Sequence, residues 1–251
     1  MTTTFSEITV QAEGPVATVT LNRPEALNAI TPTMLAELNR ALDELAGRSE
    51  LSVIVLTGAG RAFSAGVDLK ALGERTLTQG KVGDILDVPA RAVTAKLSGI
   101  DKVVVAKVNG HCFTGALELA LACDLMVVAT EATIGDTHAK FGLRPTWAMS
   151  ARLPRAVGPQ AARLLSYTAR SIKGDEAHRL GMAAVCAPRA ELDGVVEALV
   201  SEIAANSPAS LAAYKDLYRQ GAGLGLDGAI AYEYGTDYDI TDTEERLAPW
   251  R

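Results

Sequence analysis

Residues 109–138, NGHCFTGALELALACDLMVVATEATIGDTH, decide how the rest of the chain is read. They follow the β-branched run 102–108 (KVVVAKV), so a strand delivers the backbone into a tight polar turn whose hinges are Gly110 and Gly115. From Gly115 the segment becomes an almost wholly apolar helix, Ala116, Leu117, Leu119, Ala120, Leu121 and Ala122, with one carboxylate, Glu118, in its first turn. A charge in such a helix is costly to bury. The helix dipole favours carboxylates in a first turn, so the residues alone leave a structural and a functional Glu118 both open.

Working outward, two strands are expected at 5–11 and 16–21, joined by a turn at Glu13-Gly14-Pro15. Asn22-Arg23-Pro24 ends the second, and Thr31-Pro32 opens a helix with an N-cap and a first-position proline. Leu35, Leu38, Leu42 and Leu45 give that helix one apolar stripe. The continuous apolar run 51–57 (LSVIVLT) predicts a strand covered on both faces. The loop 58–68 (GAGRAFSAGVD) lacks the Lys-Ser/Thr ending of a nucleotide P-loop, and Phe63 stands where a dinucleotide fingerprint needs a small residue. What remains is a strand, a glycine-rich loop and a helix expected at Leu69, a geometry that points backbone N–H groups at an anion or a polarised carbonyl. A plain surface connection fits the same residues.

Composition bounds the possibilities. A chain of 251 residues, 48% hydrophobic and 22% charged, is long enough for one large core with a helical appendage. A net charge of −6 argues against a general nucleic-acid or anionic-membrane surface. Cys112, Cys123 and Cys186 have no metal-ligand spacing and read as reduced thiols of a cytoplasmic protein. The first residues, MTTTFSEITV, have neither a basic region nor an apolar core, so no signal peptide is expected, and the most apolar stretch is interrupted by Glu118 and Asp124, so no membrane span is expected.

Four segments then occur in order: LNRPEALNAI (21–30), VIVLTGAGRAFSAGVDLK (53–70), NGHCFTGALELALACDL (109–125) and RLPRAVG (152–158). Together they resemble the enoyl-CoA hydratase/isomerase, or crotonase, family, over about residues 8–200. The resemblance implies an α/β fold, a spiral of ββα units over residues 1–187, followed over 188–251 by a helical region that mediates assembly into a homotrimer or a dimer of trimers. Helices expected at 190–206, 209–220 and 226–238 suit it. It also implies a CoA thioester as partner, with coenzyme A part of the substrate, and no separate cofactor or metal.

By the same resemblance, the backbone N–H groups of Val67, directly after Ala65-Gly66, and of Gly115 hold the thioester oxygen, and a side chain at 115 would crowd the ligand. Such donors contribute roughly 3–4 kcal/mol each in comparable sites. Glu118 matches the first catalytic glutamate of hydratases. Where those enzymes carry the second, in a Gly-x-Pro-Glu-like segment, this chain reads Gly135-Asp136-Thr137-His138. Imidazole also moves protons near neutral pH, so His138 is a candidate acid or base, a packing role being the alternative. His111 reads as a turn residue and His178 as a surface one. Isomerases of the family keep the second acid and dispense with the first, the reverse of the pattern here.

The family's Pro-Gly-x-Gly-Gly segment, which lines the acyl end of the site in relatives, reads Pro145-Thr146-Trp147-Ala148-Met149. Trp147 and Met149 are expected to fill volume there, as lining or as core. Arg23, Arg61 and Lys70 resemble basic residues near CoA phosphates, and Asp68 lies between them in the loop. The reading is an enoyl-CoA hydratase adding water across a 2,3-enoyl double bond. The alternatives are an acyl-CoA-binding protein without turnover, or another enolate chemistry such as decarboxylation, thioester hydrolysis or isomerisation.

Overall fold

The structure, a computed structural model, describes residues 5–73 and 77–251. Strands β1 (Ile8–Glu13) and β2 (Val16–Leu21) form an antiparallel hairpin, and helix α1 (Pro32–Ala46) follows. Thr31 caps α1 by accepting from the Met34 N–H, with Pro32 behind it, and Met34, Leu35, Leu38, Ala41, Leu42 and Leu45 bury its apolar stripe. The hairpin starts three residues later than expected. Ser6 and Glu7 instead donate their N–H groups to the Glu37 carboxylate on α1.

The chain then repeats one pattern. Strands β3 (Val53–Gly58) and β4 (Ala62–Ser64) precede helix α2 (Asp84–Gly99), β5 (Val103–Val108) and β6 (His111–Phe113) precede α3 (Gly115–Ala120), and β7 (Leu125–Ala129) and β8 (Thr133–Gly135) precede α4 (Met149–Thr168). Each unit gives its first strand to one sheet and its second to another. The larger sheet runs β1-β2-β3-β5-β7-β10 and the smaller β4-β6-β8-β9, where β9 is Ser171–Lys173 and β10 Val185–Ala187 on either side of α5 (Gly174–Arg179). Both sheets are mixed, antiparallel only at β1–β2 and β8–β9. This is an α/β fold with a spiral of ββα units. Every residue of β3 is buried, as its unbroken apolar run predicts.

The short strands are not legible in the sequence. β4 lies inside the segment read as a loop, and His111 is on a strand, not in a turn. Three residues give no period to detect. Gly110 is required by close approach: a Cβ there would stand 2.0 Å from the Arg61 carbonyl oxygen. The stretch expected to be helical from Leu69 is a single 3-10 turn, 69–72, capped by Asp68.

After β10 come α6 (Leu192–Ala204), α7 (Pro208–Gly221), α8 (Leu226–Gly235) and α9 (Thr243–Leu247). Lys215 on α7 ties them to the core by donating to Asp124 and to the Leu97 and Lys102 carbonyls. Their outer faces, with the C-terminal 3-10 turn 248–250, leave Tyr218, Leu226, Tyr234 and Trp250 73%, 77%, 83% and 86% exposed. Among the described residues no helix is long and apolar enough to cross a membrane.

Candidate active site

The strands β4, β6 and β8 are parallel neighbours, so the segments that leave their carboxyl ends emerge side by side. These are 65–67, 114–118 and 136–138. Clefts at the carboxyl ends of parallel strands are where α/β sheets commonly place ligands. Here they border a cavity of about 120 Å³ lined by Ala65, Val67, Gly115, Glu118, His138 and Trp147, with Val82, Leu143 and Arg144 at its flank. Of the remaining residues singled out from sequence, Arg23, Arg61, Gly66, Asp68 and Lys70 do not line it. Arg23 is turned onto Glu7 and Asp68, and donates to the Ala29 carbonyl, so its charge is already answered. Asp68 caps the 3-10 turn, and Arg61 and Lys70 are exposed.

Two residues that line this cavity, Val67 and Gly115, have backbone N–H groups without protein acceptors among the described residues. Ile30 bridges Val67 through its neighbours, donating to the Gly66 carbonyl and accepting from the Asp68 N–H. In that parallel geometry the Val67 N–H points to the other side of the strand. The Gly115 N–H opens α3 and is one of the unpaired donors of a helix start. The preceding Thr114 is held at φ 54°, ψ −111°, a conformation that a β-branched residue rarely adopts, and its hydroxyl meets that of Thr137 at 2.5 Å. The protein itself also crowds position 115: a Cβ there would stand 2.5 Å from the Trp147 ring.

Glu118 is 1% exposed, and its Oε1 accepts from the Trp147 and Met149 N–H groups, both at 2.9 Å. Ala148 makes this pair of hydrogen bonds possible. At φ 84°, ψ 21° it reverses the backbone so that the amides on either side converge on one oxygen. A left-handed backbone of this kind favours glycine, the residue that the family resemblance expects here, and the Ala148 methyl group is exposed. Ala148→Gly should therefore relieve about 1–2 kcal/mol of left-handed strain, offset in part by a more flexible unfolded chain, for a net gain of about 0.5–1 kcal/mol. Calorimetry should show Tm rising by about 1–3 °C. An unchanged or lowered Tm would mean that Ala148 is not strained.

The other oxygen, Oε2, is buried with no hydrogen-bond partner and lies 3.7 Å from His138 Nε2. Burial raises the Glu118 pKa above the ordinary carboxylate value, and the two amides and His138 offset only part of this. His138, 7% exposed, is fixed from its other side by Asp136 Oδ1, 2.7 Å from Nδ1. A carboxylate can only accept, so Nδ1 carries a proton and Nε2 is the nitrogen turned to Glu118. Burial alone would raise Asp136, but hydrogen bonds from the His138 ring and the Ser166 hydroxyl outweigh it and hold Asp136 below its usual range. The result is a chain of groups, Ser166, Asp136, His138 and Glu118, that ends at the cavity.

The residues missed from sequence are the supports. Asp87, fully buried on α2, accepts from Trp147 Nε1 at 2.8 Å and from the Thr146 hydroxyl at 2.6 Å. In the sequence it is an unremarkable acid in a first helical turn. His178 is exposed, and Met149 is buried beside Trp147.

Known proteins resemble this chain over most of its length. The family described as Enoyl-CoA hydratase/isomerase matches residues 11–247. The short-chain-enoyl-CoA hydratase of Clostridium acetobutylicum is 32% identical over 243 residues, covering 96% of this chain and 92% of that protein. The crystal structure of a Bacillus anthracis enoyl-CoA hydratase superposes with a TM-score of 0.87 at 29% identity, over 91% of this chain and 88% of that one. A Thermobifida fusca protein whose crystal structure contains acetoacetyl-CoA superposes with a TM-score of 0.82 at 30% identity, over 97% and 95% of the two chains. A family match that spans residues 11–247, with a relative 32% identical over nearly the whole of both chains, makes this chain a member of the enoyl-CoA hydratase/isomerase, or crotonase, family.

Proposed function

We propose that the protein is an enoyl-CoA hydratase that works with a glutamate–histidine pair. The observation that carries this reading is the unpartnered Glu118 Oε2, 3.7 Å from His138 Nε2, in the cavity that the Val67 and Gly115 N–H groups border. The relative with acetoacetyl-CoA bound supports a thioester as the ligand class.

In this mechanism the Val67 and Gly115 N–H groups donate to the thioester oxygen, where negative charge develops. Glu118, as carboxylate, takes a proton from water as the water oxygen bonds to C3 of the enoyl group. The C2–C3 π electrons move towards the carbonyl, giving an enolate held by the two donors. His138, as imidazolium stabilised by Asp136, then delivers its Nε2 proton to C2. The pair is left as carboxylic acid and neutral imidazole, holding one proton fewer than needed at nitrogen and one more at oxygen. Transfer across the short gap from Oε2 to Nε2 resets it. A buried carboxyl with a raised pKa is suited to receiving that proton.

A panel of enoyl-CoAs should lose enoyl absorbance in the presence of enzyme, while calorimetry reports binding of the saturated thioesters. Binding without turnover on every enoyl-CoA would remove the hydratase reading and leave a binding protein or another enolate chemistry.

The exposed aromatic and aliphatic side chains on α7, α8 and the C-terminal turn form the kind of surface that symmetric assemblies cover. We infer a homotrimer or a dimer of trimers. Light scattering should give three or six times the 26.3 kDa chain mass at micromolar concentration. A monomer would overturn this inference.

A further inference from the structure

The proposed hydratase site has a side chain in it that the chemistry does not use, and that side chain is fastened at every polar atom. Trp147 donates its backbone N–H to Glu118, accepts at its carbonyl from Arg152 at 3.3 Å, and donates its indole N–H to Asp87. The ring is 2% exposed, and its benzene edge stands where a Gly115 Cβ would be. It therefore presses on the residue whose N–H is one of the two free donors, at the wall of the same cavity.

Asp87 is the anchor of this arrangement. Its Oδ1 accepts from both Trp147 and Thr146, while Arg91, one turn further along α2, donates from Nε to the Thr146 carbonyl at 3.1 Å. Helix α2 thus grips the 145–147 segment through two residues on one face. An aspartate buried at such a place costs stability unless its acceptors are used. Its second oxygen has no hydrogen bond, and the nearest cation, Arg91 Nη2, is 3.9 Å away. The chain retains a half-satisfied buried carboxylate, whose visible work is to hold an indole ring in place.

The space left is small. About 120 Å³ is well below the roughly 300–1,000 Å³ of pockets that enclose drug-sized ligands. A space of this size suits an acyl group of a few carbons beside the thioester.

We propose that Trp147 is the specificity wall of this site and Asp87 its positioning residue, together limiting the thioester to short acyl groups. This rests on the CoA-thioester reading above. Asp87 does not touch substrate; it acts through the indole. Long chains are refused because the ring cannot swing away without leaving its own N–H unpaired in a buried place and leaving the buried Asp87 carboxylate with the Thr146 hydroxyl alone.

The chain has two tryptophans, and Trp250 is 86% exposed, so Trp250→Phe leaves Trp147 as the sole indole reporter. In that background, fluorescence should be blue-shifted and quenched weakly by acrylamide. Asp87→Ala should shift it to the red and raise quenching at least threefold, and Asp87→Asn, whose carbonyl still accepts from the indole, should restore the parent signal. Calorimetry with butyryl-CoA and decanoyl-CoA supplies the second arm. The parent should prefer the short thioester at least tenfold, Asp87→Ala should narrow the preference below threefold, Asp87→Asn should recover it, and Trp147→Ala should abolish it. On crotonyl-CoA, the change in Asp87→Ala should fall more on KM than on kcat.

If the parent binds both chain lengths equally, the wall is absent while the thioester reading stands. If no CoA thioester binds at all, that reading itself falls, and this inference with it. If Asp87→Ala loosens neither the fluorescence nor the preference, Asp87 is a stability residue only and the assignment is overturned.

Discussion

Glu118→Gln should abolish turnover, a loss of at least about 10³-fold, while CoA-thioester affinity stays within about threefold of the parent. The carboxamide oxygen of the variant can still accept from the Trp147 and Met149 amides, so the 145–149 segment keeps its place. The substitution removes the one oxygen that can take a proton. It should also make the protein more stable at neutral pH, and the sign follows from the titration. Glu118 has a folded pKa above its ordinary value of 4.5, so over the window between them the native state binds more protons than the unfolded chain. The parent loses stability as pH rises through that window, and the glutamine variant does not. The difference between their stabilities in denaturant titrations should be near zero below the window, grow across it and then level off. A variant that keeps full turnover would show that Glu118 is not the proton acceptor.

The second large effect is at His138. His138→Ala should cost about 10²–10⁴-fold in turnover, the usual loss for a general acid or base. Restoring the family glutamate at this position is a sharper experiment, because the neighbours are now known. His138 sits between Asp136 Oδ1 at 2.7 Å and Glu118 Oε2 at 3.7 Å. A glutamate there would be a third carboxylate flanked by two, and mutual repulsion would hold at least one of them protonated. His138→Glu alone should therefore do no better than His138→Ala. Asp136→Asn combined with His138→Glu removes one repelling charge and should recover at least tenfold. Their pH–rate profiles belong to the coupled pair and not to one residue. If His138→Ala is nearly neutral while Glu118→Gln is dead, the histidine is structural and one carboxylate performs the reaction.

These two residues illustrate what a sequence exposes. Glu118 stands out because it is a single charge in an apolar helix, and His138 because it occupies a glutamate's place in a recognisable segment. Both signals are local or positional. Asp136, which fixes the histidine, is two residues away and is visible in the sequence only as a nearby charge; the hydrogen bond it accepts from Nδ1 decides the tautomer, and the one it accepts from Ser166 holds the carboxylate in place. Asp87 gives no signal at all, because its partner Trp147 is 60 residues distant and nothing near Asp87 in the sequence points to that pairing. The family glycines replaced at Thr146, Ala148 and Met149, with Trp147 between them, suggest a filled pocket. That Ala148 keeps a left-handed backbone, so that two amides converge on Glu118, is not contained in residue types.

The chain's own pattern settles the long elements. The N-cap and apolar stripe of α1, the doubly buried β3, and the strand before Gly110 follow from side-chain periodicity and backbone stereochemistry acting over a few residues. The order of four motifs also points to the α/β spiral. Only the tertiary structure assembles the small sheet from β4, β6 and β8, because strands of three residues have no period of their own and exist through pairing with partners more than twenty residues away. That pairing sets 65–67, 114–118 and 136–138 side by side. It leaves two amides without acceptors and places a carboxylate oxygen opposite an imidazole. It turns Arg23 inward, where Glu7 and Asp68 neutralise it. Burial, unlike residue type, is a property of the packed whole, and burial raises the Glu118 pKa.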